Sequence, residues 1–174
     1  MKQFIDMFHE ESLRNRSKET VLFLAAFEEF YNRAIRRPRE FFADEFIFSK
    51  EGEIRAPVSD DYRNSVLSLS ANVFEASLLW HVQAGVLSER DMAVAKRLKL
   101  YRNDVAHRPF HVLGGRFYKS WARNRAERML KKLESYWIEV DVSTDPDIPD
   151  DYDRAEAISF FRIWYNHLEA ALSK

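Results

Sequence analysis

The chain contains no cysteine and little glycine or proline. Among its 174 residues there are four Gly, five Pro and zero Cys. Without thiols, a disulfide framework, a thiolate metal site and a cysteine nucleophile are excluded. No apolar run approaches the roughly 20 residues that a membrane helix needs, and the first residues lack a signal-peptide core. We therefore expect a soluble, cytoplasmic protein that does not contact a membrane.

Aromatic residues, in contrast, are plentiful. The chain has 14 Phe, seven Tyr and four Trp, and 46% of its residues are hydrophobic beside 32% charged. A chain of this length is most simply one domain, residues 1–174, with a substantial core. Few helix breakers beside many apolar and charged residues predict an all-α fold. We expect an antiparallel up-and-down bundle of about five helices, with at most one small hairpin.

Apolar periodicity predicts where these helices lie. Residues 1–58 form an N-terminal extension with a helix from about Ser17 to Arg37 and a second piece after Pro38, because proline ends or kinks a helix. Residues 46–58 and 109–118 each read as a loop or small hairpin, and residues 141–151 as an acidic linker. The remaining predicted helices, all approximate, are residues 60–83, 88–107, 117–140 and 153–172.

Charge is unevenly distributed along the chain although the net charge is −1. Between Lys96 and Lys132 there are twelve basic and two acidic residues, whereas nine acids and one arginine lie between Glu134 and Glu156. This segregation indicates one basic and one acidic surface. The basic residues are either ordinary solvated helix positions or contacts for a polyanion, and the sequence leaves both open.

Arg102, Asn103 and His107 place an arginine, an amide and an imidazole near the end of one helix. Asn103 and His107 are four residues apart and share a face, with Arg102 close by, so we expect the three groups to gather near one edge. Pro109 disfavours a helical Arg108, so the helix should end at or just after His107. The negative carbonyl end of a helix favours the protonated imidazole.

Glu75 is a carboxylate within the most apolar predicted helix, where it needs a partner. Gly85 and a capping box at Ser88 and Asp91 predict a short connection, so the helices on either side should be antiparallel. The rise along each helix then brings Glu75 within about 6 Å of the level of Arg102. We expect Glu75 to orient Arg102, either as a structural ion pair or as a catalytic acid.

An arginine, an amide and a histidine in basic surroundings suit the handling of a phosphodiester. Histidine transfers protons near neutral pH, and arginine holds phosphate oxygens. No carboxylate cluster with metal-ligand spacing accompanies them, so we expect metal-free chemistry in which the 2′-hydroxyl of RNA attacks. The plainer interpretation of His107 is a histidine that caps helix carbonyls.

The sequence Arg102-Asn103, three residues and then His107 resembles the signature of the HEPN superfamily (higher eukaryotes and prokaryotes nucleotide-binding domain). The resemblance covers about residues 60–140. It implies a metal-independent endoribonuclease that needs no cofactor and leaves a 2′,3′-cyclic phosphate. In such an enzyme His107 would be the general acid/base, Arg102 would support the phosphate, Asn103 would position it, and Glu75 would match an acidic residue of the preceding helix.

The resemblance also implies partners and a cellular context. Members typically form homodimers in which two motifs face each other across a two-fold axis, and they act in stress response, phage defence or toxin–antitoxin pairs with a cognate antitoxin or regulatory protein. Pro109 stands where some toxin-type members carry a tyrosine, so regulation by AMP transfer does not carry over. The basic residues that we expect to bind RNA are Lys99, Arg108, Arg116, Lys119 and Arg123.

Two other functions remain open from the sequence. The first is a non-catalytic HEPN-like module that binds a nucleotide, an RNA or a protein, since a fold does not determine a function. The second is a helical regulatory protein whose basic residues contact nucleic acid by charge alone.

Overall fold

A computed structural model describes residues 10–48, 54–144 and 160–173. Within these ranges the predicted all-α fold is confirmed, and the predicted hairpin is present as two short antiparallel strands that pair Ile47 with Arg55 and Phe48 with Ile54. The elements in chain order are α1 (Glu10–Phe41), β1 (Ile47–Phe48), β2 (Ile54–Arg55), α2 (Asp60–Ser65), a 3₁₀ turn (Leu67–Leu69), α3 (Val73–Gln83), α4 (Glu89–His107), α5 (Pro109–Leu113), α6 (Ala122–Thr144) and α7 (Phe160–Ala171).

Helix α1 is longer than predicted and does not break at Pro38. It starts at Glu10, before the expected Ser17, and continues through Pro38 to Phe41. The helix survives the missing N–H because the ring of Pro38 is buried and its carbonyl still accepts a 3.1 Å hydrogen bond from the N–H of Phe42. Its buried residues include Leu22, Phe23, Ala26, Phe27, Phe30 and Ala34.

The long helix predicted over residues 60–83 is wrong, since this stretch forms α2, the 3₁₀ turn and α3. Polar side chains compete there with the helical backbone. The Ser68 hydroxyl donates to the carbonyl of Asn64 at 2.6 Å. Asn72 has an extended backbone, and its side-chain oxygen accepts a 3.1 Å hydrogen bond from the N–H of Glu75. Asn72 and Glu75 therefore mark the start of α3 and not the interior of a longer helix.

The connection between α3 and α4 follows the prediction. Gly85 has φ +74°, a conformation that glycine adopts without strain. The N–H of Asp91 donates to the Ser88 hydroxyl oxygen at 3.1 Å, and the N–H of Ser88 donates to the Asp91 carboxylate at 3.0 Å. This reciprocal pair is the predicted capping box.

The chain after α4 differs from the prediction of a loop or hairpin. Pro109 opens the short helix α5, where its missing N–H costs nothing. Val112 points inward and is fully buried, and Arg16 of α1 donates to the carbonyl of Leu113 at 2.5 Å. Helix α6 consequently begins at Ala122 rather than near Phe117. The predicted start of the last helix at residue 153 and most of the acidic linker lie outside the described residues.

The chain divides into two units by its internal contacts. The first comprises residues 1–30 and 93–174, and the second comprises residues 31–92. In the first unit, Phe23 of α1 packs on Tyr101 of α4 with ring centroids 4.9 Å apart. The predicted N-terminal extension thus supplies core residues to the motif helix. The single domain over residues 1–174 stays a prediction.

The second unit has its own small core. Tyr62, Val66 and Ala76 are buried together beneath partly buried side chains that include Trp80. Tyr31 packs on Phe74 at a centroid distance of 4.5 Å. Across the described ranges of both units, no helix is long and apolar enough to cross a membrane.

Candidate functional site

The motif helix ends where the sequence predicts. His107 is the last residue of α4, and Arg108 leaves the helical conformation with φ −137° and ψ 47°. The clash between a proline ring and a helical preceding residue explains this break. The imidazole of His107 is exposed at the carbonyl end of the helix.

Burial along α4 separates the three motif residues. Tyr101 and Val105 are buried, Arg102 is half-buried, and Asn103 and His107 are exposed. At about 100° per residue, Asn103 and His107 lie about 40° apart, but Arg102 and His107 lie about 140° apart. Asn103 and His107 share the outer face of α4, and Arg102 borders the core. The expectation that all three gather at one edge is therefore correct only for Asn103 and His107.

Arg102 is held by a glutamate of α1. Its Nε donates to Oε1 of Glu28 at 2.6 Å, and the two side chains are each 41% exposed. Within the part of the chain that the structure describes, the two terminal amino groups of Arg102 make no hydrogen bond. Arg102 is thus oriented through one nitrogen and keeps its remaining donors for a ligand.

Glu28 is the carboxylate that the structure places on Arg102. Glu28 and Arg102 both belong to the first unit, whereas Glu75 belongs to the second, at the start of α3. The expected pairing of Glu75 with Arg102 stays a prediction. A catalytic role of Glu75 stays a prediction. Glu28 lies 74 residues from Arg102, so local spacing gave no signal for it.

Arg123 differs from the other predicted RNA contacts because three carboxylates surround it. Its guanidinium donates to Glu19 at 2.9 Å, to Glu127 at 2.6 Å and to Glu169 at 2.5 Å. Its side chain is only 14% exposed. Burial alone would lower the pKa of Arg123, but the hydrogen bonds that it donates to Glu127 and Glu169 outweigh burial and raise that pKa. Arg123 is thus held within the fold by three carboxylates, and its expected contact with RNA stays a prediction.

Tyr165 of α7 completes this Arg123 cluster. Its hydroxyl contacts Oε1 of Glu127, and its ring centroid lies 6.0 Å from the Arg123 guanidinium carbon. Burial, followed by the contact with Glu127, raises the pKa of Tyr165. The cluster joins α1, α6 and α7. It borders a cleft of about 550 Å³ whose lining also includes Arg128, Lys131 and Phe161.

The other four predicted RNA contacts stay predictions. Lys99 is half-buried on α4, and Lys119 is exposed, with its N–H donating to the Tyr101 hydroxyl at 3.3 Å. Arg108 and Arg116 are exposed, and both contact the ring of Phe117. Their guanidinium carbons are 5.8 and 5.4 Å from its centroid.

Two exposed apolar side chains near the motif were not singled out from the sequence. Leu100 is 67% exposed and, seven residues before His107, lies on the same outer face of α4. Phe110 is 88% exposed, three residues after His107. Apolar periodicity did not reveal them, because it identifies the residues that a helix buries.

The second unit contains a fully buried histidine. His81 donates from Nδ1 to the carbonyl of Ser77 at 2.7 Å, and its ring packs edge-on against Trp80 at 5.0 Å. Burial lowers the pKa of His81 to about 4, against the smaller opposing effect of that hydrogen bond. The neutral ring is part of the core of the second unit.

Searches for a metal site and for relatives both gave negative results. In the residues described, no group of three or more histidine, aspartate and glutamate side chains is arranged to hold a metal ion. No family model, no curated protein and no solved structure matches the chain.

Proposed function

We propose that the chain is a HEPN-type endoribonuclease that cleaves RNA in the cytoplasm without a metal ion. One observation carries this proposal: Glu28 holds Arg102 by a single nitrogen, on a helix whose last residue is the exposed His107. An arginine with free donors and an accessible imidazole are the two groups that cleavage by the 2′-hydroxyl needs.

In the proposed reaction, His107 accepts the proton of the 2′-hydroxyl as the oxygen attacks the adjacent phosphorus. The bond from phosphorus to the 5′-oxygen breaks, and that oxygen takes up a proton from water as it leaves. His107 then releases its proton to the solvent. The products are a 2′,3′-cyclic phosphate and a 5′-hydroxyl. Arg102 stabilises the negative charge on the phosphoryl oxygens, and Asn103, on the same face as His107, positions the substrate.

A homodimer suits this chemistry because Arg102 and His107 of a single chain lie on different sides of α4. Arg102 and His107 are directed about 140° apart around α4. A two-fold axis beside the outer face would bring His107 of one protomer toward the motif of its partner, in one basic cleft. We propose stress response, phage defence or a toxin–antitoxin pair as the context, with a cognate antitoxin or regulatory protein as a further partner.

The first experiment is cleavage of a labelled single-stranded RNA in EDTA. We expect the wild type to cut and to leave a cyclic phosphate, and both Arg102→Ala and His107→Ala to lose activity. Arg97→Ala is the matched control, because Arg97 is an exposed arginine on the same helix outside the motif. Activity that survives in His107→Ala, or that is lost equally in Arg97→Ala, would contradict the assigned roles.

A non-catalytic RNA-binding module is the second candidate, and the pair of exposed arginines on Phe117 favours it. These groups would bind phosphate whether or not His107 reacts. Binding that fades with salt, persists in His107→Ala and occurs without any cleavage by the wild type would support this candidate instead.

A further inference from the structure

The short helix α5 is anchored on its inner side, and Phe110 lies on its outer side. Val112 is buried on the inner side of this short helix, and Arg16 holds the carbonyl of Leu113. With Val112 inward, Phe110 is directed outward and keeps 88% of its surface exposed. A single exposed apolar side chain is common on protein surfaces, so the significance of Phe110 depends on the groups that accompany it.

Two arginines belong to the same chain segment as Phe110. Arg108 and Arg116 both contact the ring of Phe117, and His111, the residue after Phe110, packs on that ring at 5.6 Å. Arg108 is 3.8 Å from the Asp104 carboxylate, a long and exposed pair, and no carboxylate of the described residues pairs with Arg116. The segment therefore combines one exposed aromatic ring with two accessible guanidinium groups.

We propose that residues 108–117 form a nucleotide subsite in which Phe110 stacks on a base of single-stranded RNA while Arg108 and Arg116 bind an adjacent phosphate. Aromatic stacking accepts any base, and arginine binds phosphate oxygens in pairs, so the two contacts together recognise an unpaired nucleotide. This inference rests on the proposed function, because RNA is the substrate that function assigns.

The charges favour RNA over a second copy of the chain as the occupant of Phe110. A two-fold contact centred on this ring would bring the arginines of two protomers toward each other. A phosphate would instead neutralise them.

The test is RNA binding in a His107→Ala background, with fluorescence anisotropy of a labelled mixed-sequence single-stranded RNA over a range of KCl concentrations. We expect Phe110→Ala to weaken binding about fivefold to a hundredfold at every salt concentration, the range that the loss of one stacking contact gives. Phe110→Trp should restore the affinity. Arg116→Ala should reduce the slope of log K against log salt by about 0.7, as the loss of one phosphate contact predicts, whereas Phe110→Ala should leave it unchanged.

Phe48→Ala is the matched control, since Phe48 is also a well-exposed phenylalanine, at 72%, but lies on β1 in the second unit. Equal affinities of Phe110→Ala and its parent would overturn the subsite. The subsite would also be overturned if Phe110→Ala changed the oligomeric mass measured by light scattering together with the affinity. Phe110 would then contact a second copy of the chain rather than RNA.

The subsite and the proposed activity fail in different ways. If the wild type cuts no RNA but the Phe110 and Arg116 effects on binding hold, the subsite stands and the catalytic assignment falls. If the wild type cuts RNA and Phe110→Ala has an unchanged KM, the catalytic assignment stands and the subsite is overturned.

Discussion

Arg102 and Arg123 are two arginines of the same unit that both pair with glutamates, but their surroundings differ. Arg123 is 14% exposed and donates to three carboxylates, whereas Arg102 is 41% exposed and donates to one. A guanidinium that donates to carboxylates from all three nitrogens stabilises the fold, and one that donates from a single nitrogen keeps more donors with which to bind a ligand. The number of carboxylates, rather than the residue type, separates a structural arginine from a candidate functional one.

The largest expected effect tests Arg102 as the functional member of this pair. We expect Arg102→Ala to lower kcat/KM for RNA cleavage by about 10²–10³-fold, the typical loss when one stabilising donor is removed from a transition state. The free energy of unfolding should change by less than about 1 kcal/mol, because an exposed ion pair contributes little. Kinetics and urea unfolding of the same preparation measure both. If Arg102→Ala lost as much stability as an Arg123 variant, Arg102 would be a structural residue like Arg123.

Arg123→Met tests the structural member. The three glutamates are 32–39% exposed, so water partly compensates them when Arg123 is removed, and we expect a cost of about 1–3 kcal/mol. Urea unfolding should show this loss, and Arg123→Lys should recover only part of it, because an ammonium cannot reach three carboxylates in the same geometry. Arg125→Met is the control on the same helix. Full stability of Arg123→Met would show that the cluster is dispensable.

The pH dependence of stability extends the comparison to the second unit. Burial lowers the pKa of His81 from 6.5 to about 4, so the unfolded chain binds the proton more strongly than the folded one. The free energy of unfolding therefore includes the full contribution of the neutral ring above pH 6.5. It should fall by about 3 kcal/mol as the pH decreases from 6.5 to about 4. His81→Gln should flatten this part of the profile in urea unfolding at several pH values. An unchanged slope would show that His81 does not cause it.

Glu28→Gln tests how Arg102 is oriented and should have the smallest effect. An amide oxygen still accepts the hydrogen bond, but without the charge, so we expect kcat/KM to fall less than tenfold and stability to change by less than about 1 kcal/mol. Glu28→Ala, which removes the acceptor, should cost more activity than Glu28→Gln. Identical kinetics of the two variants would mean that Glu28 does not position Arg102.

Local sequence rules predicted the elements whose causes are local. The capping box at Ser88, the glycine at position 85 and the proline at position 109 set the bounds of α4, and the structure confirms them. The same rules gave wrong results at Pro38 and Asn72. At Pro38, burial of the ring in the folded protein opposed the local cost of proline. At Asn72, a side-chain cap ended a pattern that periodicity alone extends.

The sequence by itself determined the helical class and the end of α4 at the motif, because each follows from residues within one or two turns. The tertiary structure alone decided which carboxylate each arginine received. Glu28 reaches Arg102 across 74 residues and Glu19 reaches Arg123 across 104. Such pairs depend on how helices pack, and helix packing is fixed by the shape of the whole buried core, which no local spacing encodes.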